Sequence, residues 1–360
     1  MIKLFEPTIS NRECTAVTHV LKSGFWASGS GINNVKKFEN KFQKYIGSKD
    51  CVAVNSGSAA LHLALSIFDL KNKEVLVPSL TFLSTVNSIV QNNAKPVFVE
   101  IDPSTMCISV EDIKNKITAK TGAILPVHFG GIPANLDEIK QISNQYKIPV
   151  IEDAAHASGS TYRTKKIGSH SAAVCFSFHP VKNLGMPNGG AICLNTSNVK
   201  KFKKILNAER WCGIENRIGF NYDIKKIGWN YYMNEISAVM GLEQLSKLDK
   251  MNDIRKKIVK KYSTDINLEN KMPFLKDCSY HLYWILVNNR KDFMKKMKNN
   301  GIETGIHYNP VHQMTLYSQK NSKLPITEQI CKQIVSIPIH ANLKEKEIFK
   351  IISCVNKFAK

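Results

Sequence analysis

Between residues 50 and 200 of this 360-residue chain, short apolar runs alternate with stretches whose apolar residues recur at helical spacing. The runs are CVAVNS (51–56), EVLVPS (74–79), PVFVEI (96–101), GAILPVHF (122–129), IPVIEDA (148–154), AAVCFSF (172–178) and GAICLN (190–195). Between them ALHLALSIF (60–68), TFLSTVNSIVQ (81–91), VEDIKNKI (110–117) and LDEIKQISNQY (136–146) read as helices. Near-continuous apolar strands need cover on both faces, so the pattern predicts an α/β fold whose mostly parallel sheet lies between helices. The last two runs have no helix between them, which allows one antiparallel pair. Beyond them, a long helical stretch at 234–262, a strand at 280–288, a helix at 291–301 and an amphipathic helix at 345–360 predict a smaller α+β part. The expected division is a large domain over 1–250 and a small C-terminal domain over 251–360.

Several function classes lose support at once. The 50 Lys and Arg against 29 Asp and Glu give a net charge of +21, which favours an anionic partner. The lysines are spread in pairs such as Lys36-Lys37 and Lys260-Lys261, not clustered with aromatics, so nucleic acid is not expected. Nine cysteines form no Cys-x-x-Cys pair, and neither a disulfide framework nor a metal site is expected. The start, MIKLFEPTIS, lacks the apolar core of a signal peptide, and no run approaches the roughly 20 apolar residues of a membrane span; a cytoplasmic protein is expected. Neither G-x-G-x-x-G nor G-x-x-x-x-G-K-[ST] occurs at the strand ends, which removes the main support for dinucleotide and nucleoside triphosphate binding.

In such sheets ligands bind beyond the carboxyl ends of the strands. NSGSAALHLAL places Gly57, Ser58 and Ala59 where the chain enters a helix, whose free amides suit a phosphate. PSLTFLST places Phe82 at a strand-to-helix junction, where its ring can cover a planar ligand. IEDAAHASG ends an apolar run with Glu152 and Asp153, and a carboxylate buried there asks for a cation. FSFHPVKNLGMPNGGA (176–191) supplies Lys182, following a strand that carries Ser177. Taken singly these are a helix cap, a core phenylalanine and a loop lysine. Jointly they match what pyridoxal phosphate requires: a Schiff-base lysine and an acidic partner for the pyridinium nitrogen.

The segments VKKFENKF, NSGSAALHLAL, VPSLTFLSTVNSIV, ILPVHFGGIPANLDEI, IPVIEDAAHASGS, CFSFHPVKN, GWNYYMNEISAVMGLEQL and GIETGIHYNPVH resemble the DegT/StrS-type pyridoxal phosphate aminotransferases. These belong to the fold-type I aspartate aminotransferase superfamily and act mainly on keto sugars attached to nucleotides. The resemblance implies that Lys182 carries the cofactor and moves protons, Asp153 pairs with the ring nitrogen, and His156 lies near the ring hydroxyl. It implies that Phe82 stacks on the ring, that Ser58, Ala59 and Ser177 hold the phosphate, and that Asn234 reaches the phosphate of a neighbouring subunit in a homodimer. His307 and Tyr308 would border the substrate pocket.

The implied donor is L-glutamate and the implied acceptor a nucleotide-linked keto-deoxy sugar of surface polysaccharide or glycan biosynthesis, with a small phosphorylated ketone or keto-cyclitol as the alternative. Dehydratase relatives carry histidine in place of the lysine, and a basic binding protein without activity would have lost the lysine or the aspartate; Lys182 and Asp153 speak against both. Two departures leave the acceptor open: Met186-Pro187-Asn188 where relatives often read Thr-Gly-Glu, and Arg210-Trp211-Cys212-Gly213 where they read Arg-x-His-Gly. Both are expected near the substrate mouth.

Overall fold

A computed structural model describes residues 1–318 and 323–359. Strands Lys95–Val99, Glu74–Pro78 and Thr121–Ile124 lie side by side in that order and parallel. Strands Asp50–Val54, Gly190–Leu194, Ala173–Ser177 and Ile151–Asp153 form a second group. Parallel bridges at Ile124–Val150 and Val127–Asp153 join the two groups into one seven-stranded layer. Only Gly190–Leu194 runs antiparallel to its neighbours, in the pair that lacks a connecting helix. All seven expected strands are present. The run at 122–129 stops as a strand at Ile124, just ahead of Pro126, which has no N–H to donate to a ladder.

The helices cover this layer. Gly57–Ser66 is buried from Ala59 through Leu65, because it packs on strands Ala173–Ser177 and Gly190–Leu194 and against helix Leu83–Gln91. Burial of Leu61, Leu63 and Leu65 contributes about 1.5–3 kcal/mol each and pins the start of this helix over the strand ends. Helices Asn11–Ser23, Asn33–Ile46 and Val199–Glu209 join those expected. The long helix Glu235–Asp265 packs against Asn11–Ser23 and Asn33–Ile46 and runs unbroken past residue 250.

Beyond it, strand Tyr283–Leu286 pairs antiparallel with Ile334–Ile337. One apolar cluster extends from Leu76 and Val99 of the parallel strands through Ile258 and Tyr262 to Ile285, Ile337 and Ile351. The C-terminal elements are thereby clamped onto the sheet, and their loops reach its strand ends. A hairpin, Ile214–Ile218 with Asn221–Ile224, projects from the body. Among the described residues no helix is long and apolar enough to cross a membrane.

Candidate active site

At the carboxyl ends of the central strands lies a cavity of about 330 Å³, within the size range of small-molecule sites. Lys182 enters it from the loop between strands Ala173–Ser177 and Gly190–Leu194. That loop is held at both ends. Phe178 N donates to Gly189 O at 2.8 Å, Met186 N donates to Phe178 O at 2.9 Å, and the buried Phe178 ring packs edge-on against Phe38 and Phe42. Asn183, next to the lysine, donates from Nδ2 to Asn252 Oδ1 and to Ser279 O, both at 2.8 Å. A half-buried lysine is thus carried on an anchored loop. Desolvation pulls its amine down to about 8, against the opposing charge of Asp153.

Asp153 ends its strand at the floor of the cavity. Its Oδ1 accepts from Ala155 N at 3.0 Å, and its Oδ2 accepts from Thr85 Oγ1 at 2.8 Å. Burial raises its carboxyl, while the Ala155 amide, the Thr85 hydroxyl and the Lys182 charge work against that rise. Glu152 points to the other face of the strand, as the two-residue period requires. There His128 Nε2 donates to Glu152 Oε2 at 2.7 Å. The tautomer follows from the other ring nitrogen, since His128 Nδ1 accepts from Ala134 N at 3.0 Å and carries no proton.

The glycine pair that follows the lysine loop answers to crowding. A Cβ on Gly190 would sit 2.3 Å from Ser56 O, and one on Gly189 would sit 2.4 Å from Met186 Sδ. Glycine at 190 therefore lets the last strand approach the start of helix Gly57–Ser66. Ser56 caps that helix: its Oγ accepts from Ala59 N at 3.1 Å, and its carbonyl accepts from Ala60 N at 3.0 Å. The amides of Gly57 and Ser58, which both line the cavity, are left for a ligand. Ser177 lines the same corner.

Imidazoles crowd the opposite side. His156 Nδ1 accepts from Gly130 N at 3.3 Å, so its proton is on Nε2, 3.1 Å from Tyr308 Oη. Burial, then the charge of Lys182, holds His156 well below the usual histidine range. His307 Nδ1 lies 2.9 Å from Ser336 Oγ, and burial with the Lys182 charge pulls this ring to about 4. Burial raises the Tyr308 phenol. Phe82 lies at the mouth, half exposed, its centroid 5.9 Å from that of Tyr308.

Eight of the ten residues singled out from sequence meet here: Ser58, Phe82, Asp153, His156, Ser177, Lys182, His307 and Tyr308. Ala59 does not line the cavity, since its amide is spent on the Ser56 cap. Asn234 lies outside the cavity of its own chain and caps the long helix by accepting from Ser237 N at 2.8 Å. The two sequence departures also prove mostly remote. Met186 is buried in the core, and of Met186-Pro187-Asn188 only Asn188 lines the cavity. Arg210 is buried in an ion pair with Glu39 at 2.6 Å and donates to Ala53 O at 2.8 Å, so it braces the first strand.

Among the lining residues that the sequence reading passed over, Thr85, Phe5 and His281 stand nearest the polar groups of the site. Thr85 sits one helical turn beyond Thr81, the only trace it left, while Phe5 and His281 belong to apolar contexts that read as core.

The residues fit pyridoxal phosphate. A desolvated amine, a buried carboxylate held by neutral donors, and free amides at a helix start converge on one cavity. Comparison with known proteins agrees. Residues 7–356 match the DegT/DnrJ/EryC1/StrS aminotransferase family. A relative from Methanocaldococcus jannaschii, named Uncharacterized protein MJ1066, is 36% identical over 374 residues, covering 98% of this chain and 96% of the relative.

Helicobacter pylori PseC, an aminotransferase involved in the biosynthesis of pseudoaminic acid, superposes with a TM-score of 0.93 at 26% identity, over 99% of both chains. The sugar aminotransferase CalS13 from Micromonospora echinospora superposes with a TM-score of 0.91 at 27% identity, over 99% of this chain and 100% of its own. Spr1654 from Streptococcus pneumoniae, solved in its PMP form, gives 0.94 at 26% identity over 99% of both chains. The chain belongs to the DegT/DnrJ/EryC1/StrS aminotransferase family and is a pyridoxal phosphate-dependent aminotransferase of the fold-type I class.

Proposed function

We propose that this enzyme moves the amino group of L-glutamate to the keto group of a nucleotide-linked keto-deoxy sugar, in the cytoplasm, for surface polysaccharide or glycan synthesis. The observation that carries this reading is the meeting of Lys182 and Asp153 in one cavity beneath a helix N-terminus. When bound, pyridoxal phosphate supplies the electron sink that makes amino-group exchange between an amino acid and a ketone possible. Lys182 would hold it covalently and, with its amine free, would take and return the proton at the donor's Cα; an amine pulled to about 8 suits that work near neutrality.

Asp153 would keep the ring nitrogen protonated. Ser58, Ser177 and the amides of the Gly57–Ser58 turn would hold the phosphate, Phe82 would cover the ring, and His156 would offer its Nε2 proton to the ring hydroxyl. His307 and Tyr308 border the substrate. In this reading residues 1–250 hold the cofactor, and 251–360 close the site with these C-terminal groups. The sugar assignment draws on what PseC and CalS13 are described as doing, and the net charge of +21 suits an anionic acceptor.

The enzyme is a homodimer in this reading, with Asn234 reaching the partner's phosphate site. The hairpin supports it. Ile218 and Phe220 of the hairpin, and Ile227 just beyond it, are 80%, 94% and 82% exposed in the isolated chain, apolar side chains that a second copy would cover. Mixing inactive Lys182→Ala and Asn234→Ala chains under conditions of subunit exchange is expected to restore activity, and no recovery would remove the shared site.

The absorbance spectrum tests the reaction. Glutamate is expected to bleach the visible cofactor band of the wild type, and a nucleotide-linked keto sugar to restore it. Restoration by a phosphorylated ketone or a keto-cyclitol alone would replace the acceptor, and a wild type that forms no such band would defeat the role of Lys182.

A further inference from the structure

One side chain in the cavity stands against Lys182 without a part in the chemistry above. His281 Nε2 lies 3.3 Å from Lys182 Nζ. The His281 ring is buried and stacked on Phe5, with centroids 5.3 Å apart and 14° between planes, and its other neighbour is the His156 ring at 4.5 Å. Its backbone N–H donates to Gly130 O at 2.9 Å, so it hangs on the same turn whose amide orients His156. The ring is held between Phe5 and His156, with its Nε2 edge presented to the amine.

We infer that His281 is a positioning residue for Lys182, its neutral Nε2 accepting a hydrogen bond from the amine and holding it in the cavity whenever it is not joined to the cofactor. The inference rests on the role proposed above for Lys182. An ammonium group has three donors and no acceptor, so the facing nitrogen must offer a lone pair and the ring proton must sit on Nδ1. Nδ1 is buried and has no hydrogen-bond partner among the described residues, so no neighbour competes for that tautomer.

The groups around the pair keep the ring an acceptor. Burial disfavours its protonation first, followed by the charge of Lys182 from the lysine loop, His156 and His307 from their own loops, and Arg255 from the long helix. His179 and Asp153 also face the amine, and Asp153 alone of these favours its charged form. A hydrogen bond into His281 adds to the pull of Asp153. It also restrains a side chain that would otherwise sample many rotamers after each release.

The test reads the amine directly. The full-length chain, freed of cofactor, is acetylated with limiting acetic anhydride at pH values from about 6 to 10, and modification of Lys182 is followed by mass spectrometry. In His281→Phe and His281→Leu, which remove the acceptor, the midpoint for Lys182 is expected to fall by about one pH unit, a ten-fold shift in its protonation equilibrium. His281→Gln, whose Oε1 can accept, is expected to stay near the wild type. Either folded acceptor-free variant keeping the wild-type midpoint, or raising it, overturns the inference. Borohydride trapping of pyridoxal phosphate on wild-type Lys182 tests the cofactor reading separately, and its failure would leave the labelling midpoints to decide about His281.

Discussion

Glu152 and Asp153 are consecutive, both buried, and shifted in opposite directions. Burial pushes both carboxyl groups up, but the hydrogen bond from His128 brings Glu152 below the ordinary range, while Asp153 stays raised. The difference lies in what each face of the strand offers. On the far face a ring with a fixed tautomer donates into Glu152 at 2.7 Å and is itself braced by two backbone contacts, Ala134 N to its Nδ1 and its own N to Asp153 O. On the cavity face Asp153 has a hydroxyl, one amide and a lysine that is itself partly discharged. A buried carboxylate costs free energy until something charged answers it. In this reading the carboxyl lowered by its ring donor belongs to the scaffold, and the one that stays raised is the socket proposed for a cationic ring.

Asp153→Asn breaks this comparison hardest. The variant keeps the shape and one accepting oxygen for Ala155 N, with its amide nitrogen donating to the Thr85 hydroxyl, yet it no longer favours a protonated ring nitrogen. A loss of at least about 100-fold in kcat is expected, the scale of removing one preorganised electrostatic partner. Its folded stability should not fall, because a costly buried charge has been removed. Activity near that of the wild type would take Asp153 out of the site.

Much of this was readable from residues 50–200. The alternation of apolar runs carried the sheet, and IEDAAHASG carried the statement that a carboxylate ends a buried strand. Which of Glu152 and Asp153 lines the cavity was not readable from the apolar pattern, which is the same on both faces; the choice of Asp153 rests on the family resemblance alone. His281 was hidden for a related reason. It stands beside YWIL, a run that packs like any core strand, and only its approach to Lys182 and Phe5 sets it apart. Arg210 misled in the opposite sense: a basic residue in a motif expected near the substrate serves Glu39 and the first strand.

A smaller effect sharpens the same contrast through stability. Glu152→Gln leaves His128 a neutral acceptor in place of a charged one and is expected to cost about 2 kcal/mol, the worth of a hydrogen bond to a charged group, while kcat changes little. The pH dependence gives the signs. The lowered Glu152 carboxyl contributes stability that is present above its ordinary value of 4.5 and is lost as pH falls through its folded value, so the gap between wild type and Glu152→Gln should close in acid. The raised Asp153 carboxyl contributes stability that is present below 3.8 and is lost as pH rises through its folded value, so Asp153→Asn should gain on the wild type as the pH rises above 3.8. Denaturant midpoints of the three cofactor-free proteins across that range should therefore diverge with opposite slopes. Parallel curves would mean that the two faces of strand Ile151–Asp153 treat their carboxylates alike, and the assignment of one to scaffold and one to socket would fail.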